Sequence, residues 1–198
     1  TSWTCPEAAY EDELAKYIAA LLRPGQPNPF AYELDRLTAR IAPFGFRNAL
    51  AQVALKLTAP GVPDLYQGCE QWNFSLVDPD NRRPVDFEQL AVDLEAVGSL
   101  YADGWPSAAD WRQLQADIAG GRVKHLVTWR LLQLRRAWPA LFRDGAYLPL
   151  TLAGSAAEHA VAFARHRDDQ AVLVVAARLS HTLCGGDDSR WGARAWGD

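Results

Sequence analysis

Polar side chains able to handle a hydroxylated ligand are concentrated between Leu57 and Phe87, in the run LTAPGVPDLYQGCEQWNFSLVDPDNRRPVDF. Gln67, Glu70, Asp78, Asp80 and Asn81 can accept hydroxyl protons, while Arg82 and Arg83 donate through rigid guanidinium forks. Tyr66 and Trp72 add flat apolar faces of the kind that cover the C–H side of a pyranose. Together these types point to sugar recognition. The same residues also allow a plainer reading. Asp78-Pro79-Asp80-Asn81 has the composition of a β-turn, in which Pro79 sets φ and Asp78 bonds amides downstream, so Asp78, Asp80, Asn81 and Arg82 could satisfy one another.

The element expected to position this loop is the stretch Gly61 to Gly68, a short apolar run entered from a helical pattern and bounded by glycines. It is read as a buried parallel strand, with Pro63 at its start. In α/β architectures ligands gather beyond the carboxyl ends of the strands, so residues from Tyr66 onward would face a site.

The run from Thr58 to Phe87, together with TSWTCPEAAYE at residues 1–11, resembles the maltooligosyltrehalose synthases of the α-amylase superfamily. The resemblance is strongest over 1–11 and 57–87 and weak beyond about residue 140. Position 69 is Cys, where a small hydroxyl residue is expected from the family. The resemblance implies an α+β chain. Residues 1–140 would form the mainly helical end portion of a (β/α)8 barrel, and residues 141–198 a truncated antiparallel β domain. It implies an enzyme that rearranges the reducing-end α-1,4 linkage of a maltooligosaccharide to α,α-1,1. The catalytic carboxylates of the family belong to segments whose motifs are missing from this sequence, so no catalytic residue is assigned. Tyr66, Gln67, Glu70, Trp72, Asp78, Asp80, Asn81, Arg82 and Arg83 match the family residue by residue. They are expected to bind substrate, with Trp72 and the Asp78–Arg83 loop retaining the freed glucose, and the chain alone is expected to be inactive. No cofactor is implied. An oligo-glucosidase or glucosyltransferase of the same superfamily, or a noncatalytic carbohydrate-binding module, are the alternatives.

Around this loop the sequence is mainly helical. Thr4-Cys5-Pro6-Glu7 reads as a capping box. The helix after it would bury Tyr10, Leu14, Tyr17, Ile18, Leu21 and Leu22 and end at Pro24-Gly25. Trp3 is read as a core aromatic. A proline-rich link (Pro24, Pro27, Pro29) precedes a second helix over Tyr32–Ile41, with Leu34, Leu37 and Ile41 buried and Pro43 and Gly45 ending it. A third helix, Arg47–Leu57, presents Leu50, Val53, Ala54 and Leu57. Further helices are expected over 87–101, from the Ser107 cap to Ile118, and over 122–138, separated by a turn at Asp103–Pro106 and by Gly120-Gly121. The last of these carries the stripe Val123, Val127, Leu131, Leu134 and Trp138. Its other face, with Arg122, Lys124, Arg130, Arg135 and Arg136, reads as a solvated or packed surface, and His125 is expected to stack on Trp129. From Gly145 the period changes to strands at 146–152, 159–165 and 171–177. An unpaired sheet edge would leave the tail from Cys184 associated or disordered.

Composition narrows the classes that remain. The 198 residues carry a net charge of −4 and an isoelectric point near 5.6, which gives no support for nucleic acid as a partner. No signal peptide and no apolar run approaching a membrane span is seen. Cys5, Cys69 and Cys184 lack CxxC spacing and read as reduced thiols in a cytoplasmic protein. His159, His166 and His181 have no metal-ligand spacing. The chain has no Met and begins Thr-Ser-Trp, as expected of a piece of a longer protein. Such a piece would expose barrel faces meant for other strands, which favours self-association.

Overall fold

A computed structural model describes residues 1–25, 28–101 and 105–197. Asp103 and Gly104 of the turn expected at Asp103–Pro106, and the middle of the proline-rich link, lie outside the described residues. The chain divides into two compact units, Thr1–Ala42 and Pro43–Asp198.

The first unit holds helix α1 (Ala8–Leu21) and the beginning of helix α2 (Pro29–Thr58). The capping box does not form. Glu7 is the N-cap without a side-chain bond, and its amide donates instead to Thr1 Oγ1 at 3.2 Å. The helical period was correct, but the expected burial was not. Tyr10, Leu14, Tyr17, Ile18 and Leu22 are exposed, as are Leu34, Leu37 and Ile41, and Trp3 is fully exposed. An apolar stripe is buried only where another element meets it, and α1 has no buried residue.

Helix α2 corrects a second expectation, because Pro43 and Gly45 do not break it. A proline inside a helix removes one backbone bond and costs roughly 3 kcal/mol. Burial of Phe44, Val53, Leu57 and Thr58 just downstream offsets that cost. Each large apolar side chain fully removed from water contributes about 1.5–3 kcal/mol.

In the second unit, α3 (Phe87–Ser99), α4 (Ala108–Ala116) and α5 (Arg122–Ala137) follow the expected order. Ser107 caps α4 in a true capping box with Asp110, and these bonds hold the Asp110 carboxyl below its ordinary pKa. The core here is Val97, Leu114, Val123 and Leu126, with Leu50, Trp72, Leu100, Tyr101, Ile118 and Trp129 packed around it. The buried face of α5 is rotated from the expected stripe and includes His125 and Thr128. Trp129 meets the Tyr101 ring edge-on, so the expected stacking on His125 is not what occupies it.

Much of the basic face of α5 is engaged within the chain, while Arg136 is exposed. Arg122 pairs with Asp117 at 2.7 Å, Arg130 lies over the Tyr101 ring at 4.3 Å, and Arg135 donates to the Leu57 and Gly61 carbonyls.

After α6 (Pro139–Asp144), strands β1 (Ala146–Pro149), β2 (Ala160–Arg167) and β3 (Gln170–Ala177) form an antiparallel sheet in the order β1-β2-β3. Phe163 faces Val174 and Val161 faces Ala176 on the buried side. Arg165 shares that side and is only 1% exposed. Its guanidinium has no carboxylate partner among the described residues and is satisfied by the carbonyls of Leu141, Phe142, Gly145 and Thr58 at 2.9–3.2 Å.

The tail is more ordered than expected. It forms α7 (Ser180–Leu183) and α8 (Ala193–Trp196). Cys184 is fully buried, Arg47 pairs with Asp188, and the Arg47 guanidinium lies 4.4 Å from the Trp191 ring centroid. These contacts anchor a segment that the sheet edge alone would leave free. All three cysteines are unpaired, with Cys5 exposed and Cys69 half-buried. No described helix is long and apolar enough to cross a membrane.

Candidate functional site

The site begins where α2 ends. Arg135 Nη1 donates to Leu57 O at 3.0 Å and Arg165 Nη1 to Thr58 O at 3.2 Å, satisfying carbonyls that a helix C-terminus leaves open. The chain then runs through residues 62–66 without helix, turn or strand. The expected strand at 61–68 is therefore corrected: a strand requires a hydrogen-bonded partner strand, and none of the described segments pairs with it.

Two glycines set the backbone around the loop. Gly68 has φ +79°, and a Cβ there would come within 3.0 Å of Val85 Cγ2, so the two ends of the loop close on each other at this point. Gly121, φ +82°, caps α5 and lets the backbone of Gln71 and Trp72 approach the helix, where a Cβ would lie 3.1 Å from Gln71 Cβ.

From there the floor is fixed by named bonds. Trp72 Nε1 donates to Ile118 O at 2.6 Å. Lys124 Nζ donates to Gln71 O at 2.7 Å, and Asp93 accepts from both Gln71 (2.7 Å) and Gln89 (3.2 Å). Burial lowers the Lys124 pKa, opposed chiefly by Cys69 and then Glu70. Burial also lowers that of His125, against the attraction of Glu70 and Asp93. Glu70 Oε2 and His125 Nδ1 are both buried without a hydrogen-bond partner among the described residues.

The loop above the floor is folded on its own charges. Arg82 pairs with Asp78, and Arg83 with Asp80. The second Asp80 oxygen accepts from the Leu76 amide at 2.7 Å, and residues Asp80–Arg82 form a single 3-10 turn. Asp86 caps α3 by accepting from Gln89 N at 2.9 Å.

Between loop and floor lies a cleft of about 430 Å³. Five of the nine residues read from the sequence line it: Gln67, Trp72, Asp80, Asn81 and Arg83. The other four, Tyr66, Glu70, Asp78 and Arg82, are not part of its wall. Sequence reasoning missed Gln71, Asn73, Phe74, Ser75, Asp86 and Gln89, which do line it. The amides lay in plain view as polar loop residues, but an isolated Phe in a polar loop carried no signal separating it from a core residue. Both carboxylates that line the cleft, Asp80 and Asp86, are engaged by the loop and by a helix cap. What the walls offer is hydroxyl recognition by amides and a guanidinium, beside aromatic surface. Among the described residues no group of three or more His, Cys, Asp or Glu is gathered to hold a metal.

No family model matches the chain. A Mycobacterium tuberculosis protein provisionally named maltooligosyl trehalose synthase is 39% identical over 183 residues, which is 92% of this chain and 20% of that protein. The structure of maltooligosyltrehalose synthase from Arthrobacter ramosus superposes on all of this chain with a TM-score of 0.75 at 37% identity. The chain is homologous to a segment of the maltooligosyl trehalose synthases. It spans about one fifth of the length of these relatives, 22% in the Arthrobacter ramosus synthase. A structure from Sulfolobus tokodaii, titled hypothetical maltooligosyl trehalose synthase, matches 89% of the chain at TM-score 0.65 and 30% identity. The Arthrobacter ramosus match takes in the whole chain, helices and antiparallel sheet alike, consistent with an α+β fold.

Proposed function

We propose that this chain is the segment of a maltooligosyltrehalose synthase that supplies part of the substrate site. The parent activity rearranges the reducing-end α-1,4 linkage of a maltooligosaccharide to α,α-1,1. Residues 1–140 then correspond to the end portion of a (β/α)8 barrel and residues 141–198 to part of the β domain beyond it. The observation that carries this reading is the cleft, in which Gln67, Trp72, Asp80, Asn81 and Arg83 meet. It lies within a chain 39% identical to a protein named for that activity.

The chemistry assigns distinct tasks. In a retaining mechanism one carboxylate forms a glycosyl-enzyme and a second carboxyl group acts as acid and then base. Isomerisation then requires that the freed glucose stay in place and attack in place of water. The cleft residues suit retention of that glucose: Arg83 and the amides bond its hydroxyls, and the aromatic wall covers its C–H face. No residue of this chain is assigned as nucleophile or acid, and the chain by itself is inactive. A cytoplasmic setting fits its three unpaired thiols.

The test is an NMR titration of the 198-residue chain with maltopentaose, following backbone amides and sugar anomeric signals. Shifts confined to residues 67–90 without a new α,α-1,1 signal are expected. Absence of shifts removes the binding role, and an α,α-1,1 signal overturns the assignment of catalysis to other segments.

A further inference from the structure

Two aromatic rings line the cleft, and they are in opposite situations. Trp72 is already engaged: its indole N–H is given to Ile118 O, the Phe46 ring stacks on it at 4.7 Å and 29°, and Lys124 Nζ lies 5.6 Å from its centroid. It also packs against the Val97–Leu126 core. A ring held by a helix backbone, a second ring and a cation has little surface left for a ligand.

Phe74 is 79% exposed. Its recorded aromatic neighbour is Phe46, tilted by 53° at 6.1 Å, so Phe46 touches both rings and forms a ladder from the core to the cleft rim. The backbone that carries Phe74 is set by its two neighbours. Asn73 Oδ1 accepts from the Ser75 amide at 2.9 Å and also from the Ser75 hydroxyl, an Asx-turn with Phe74 at its centre. Around it in the same cleft stand Gln67, Asn73, Asn81 and Arg83. A large exposed ring on a fixed turn, among hydroxyl-binding groups, is the amphipathic composition that a pyranose requires.

We infer that Phe74, backed by Phe46, is the ring on which the cleft stacks a pyranose, and that Trp72 supports the floor without offering that face. The inference rests on the carbohydrate reading above and moves the stacking role from the two residues expected in sequence, Tyr66 and Trp72, to one that the sequence did not reveal. The ligand class it specifies is a pyranose with a continuous axial C–H face, such as an α-linked glucose unit. A hydroxyl-rich molecule without a ring should lack this interaction.

The experiment titrates the 198-residue chain with maltose and with sorbitol, which carries hydroxyls but no pyranose ring, using the wild type, Phe74→Ala and Phe74→Tyr. Wild type is expected to prefer maltose and to shift its pyranose C–H protons upfield through the aromatic ring current. Phe74→Ala should weaken maltose binding about five- to tenfold, remove that upfield shift and erase the preference over sorbitol. Phe74→Tyr should retain all three. If Phe74→Ala binds maltose with unchanged affinity while the cleft amides still shift, the stacking assignment is overturned and the carbohydrate reading stands. If wild type shows no amide shifts with maltose, both fall together. Circular dichroism melts of the variants establish that each is folded, and Phe74→Leu, which keeps apolar volume without a ring, decides the question should Phe74→Ala unfold: loss of the upfield shift and of the maltose preference supports the stacking role, and their retention overturns it.

Discussion

Arg165 Nη1 donates to the Thr58 carbonyl at 3.2 Å, which ties the middle of β2 to the last turn of α2 across 107 residues of sequence. The same guanidinium serves the carbonyls of Leu141, Phe142 and Gly145. It is therefore the joint between the sheet, α6 and the helix that delivers the site loop. Arg165→Met should lower unfolding free energy by about 2–4 kcal/mol, because several buried acceptors lose their donors. Arg165→Lys should recover only part of this, since an ammonium lacks the planar fork. Urea melts with unchanged slope and a lower midpoint are the expected signature.

Trp72→Phe should cost about 1 kcal/mol. The change removes the bond to Ile118 O while leaving an aromatic ring for Phe46 to stack upon. A loss several times larger would show that the indole fills volume the phenyl ring cannot.

Arg83→Ala is expected to act on chemistry more than on folding, because the Arg83 side chain is largely exposed, Asp80 keeps its bond from the Leu76 amide, and pairs with an exposed partner contribute about 0–1 kcal/mol. In a full-length synthase carrying this segment, the ratio of released glucose to trehalose-type product should rise. An unchanged ratio with unchanged turnover would remove Arg83 from the glucose-retaining wall and leave it a loop-fixing residue only.

His125 gives the second unit a dependence on acid. Burial holds its native pKa below the ordinary 6.5, with Glu70 and Asp93 pulling in the other direction. The unfolded imidazole consequently takes up its proton first as pH falls. The stability linked to His125 is full above about 6.5, declines as pH drops from there toward the native value, and levels off below it. His125→Gln should flatten the stability curve over that window, measured by urea melts at successive pH values. A curve parallel to wild type would mean that the imidazole titrates alike in both states.

The exposed stripe of α1 should make the isolated chain associate. Leu14→Lys is expected to move sedimentation toward the monomer while changing stability by no more than about 0.5 kcal/mol, since Leu14 buries against nothing in the described structure.

Legibility in the sequence followed the range of the interactions. The period of α3, the capping box of α4 and the three strands after Gly145 rest on neighbours a few residues apart, and all were readable. The continuity of α2 through Pro43 was not, because burial of Val53 and Leu57 outweighs a local penalty that dominates any short window. Residues 61–68 looked like a strand because they have strand composition, yet pairing depends on a partner that composition does not reveal. The site divided in the same way. The polar density of 66–83 was visible as such, and five of the nine residues singled out from it reached the cleft. Gln71 escaped because Asp93 positions it from α3, where Asp93 also accepts from Gln89 one turn earlier on the same helix. Phe74 escaped because exposure of a phenyl ring is a tertiary fact.

Complete burial of Cys184 beside the short helix α7, set against the open Cys5 thiol, gives the chain an internal clock. A thiol reagent should label Cys5 at once, the half-buried Cys69 next, and Cys184 only when the native packing transiently opens, so the slowest rate reads the frequency of that opening without any denaturant. The thiol that the fold hides completely thus becomes a reporter of how often the C-terminal packing comes apart.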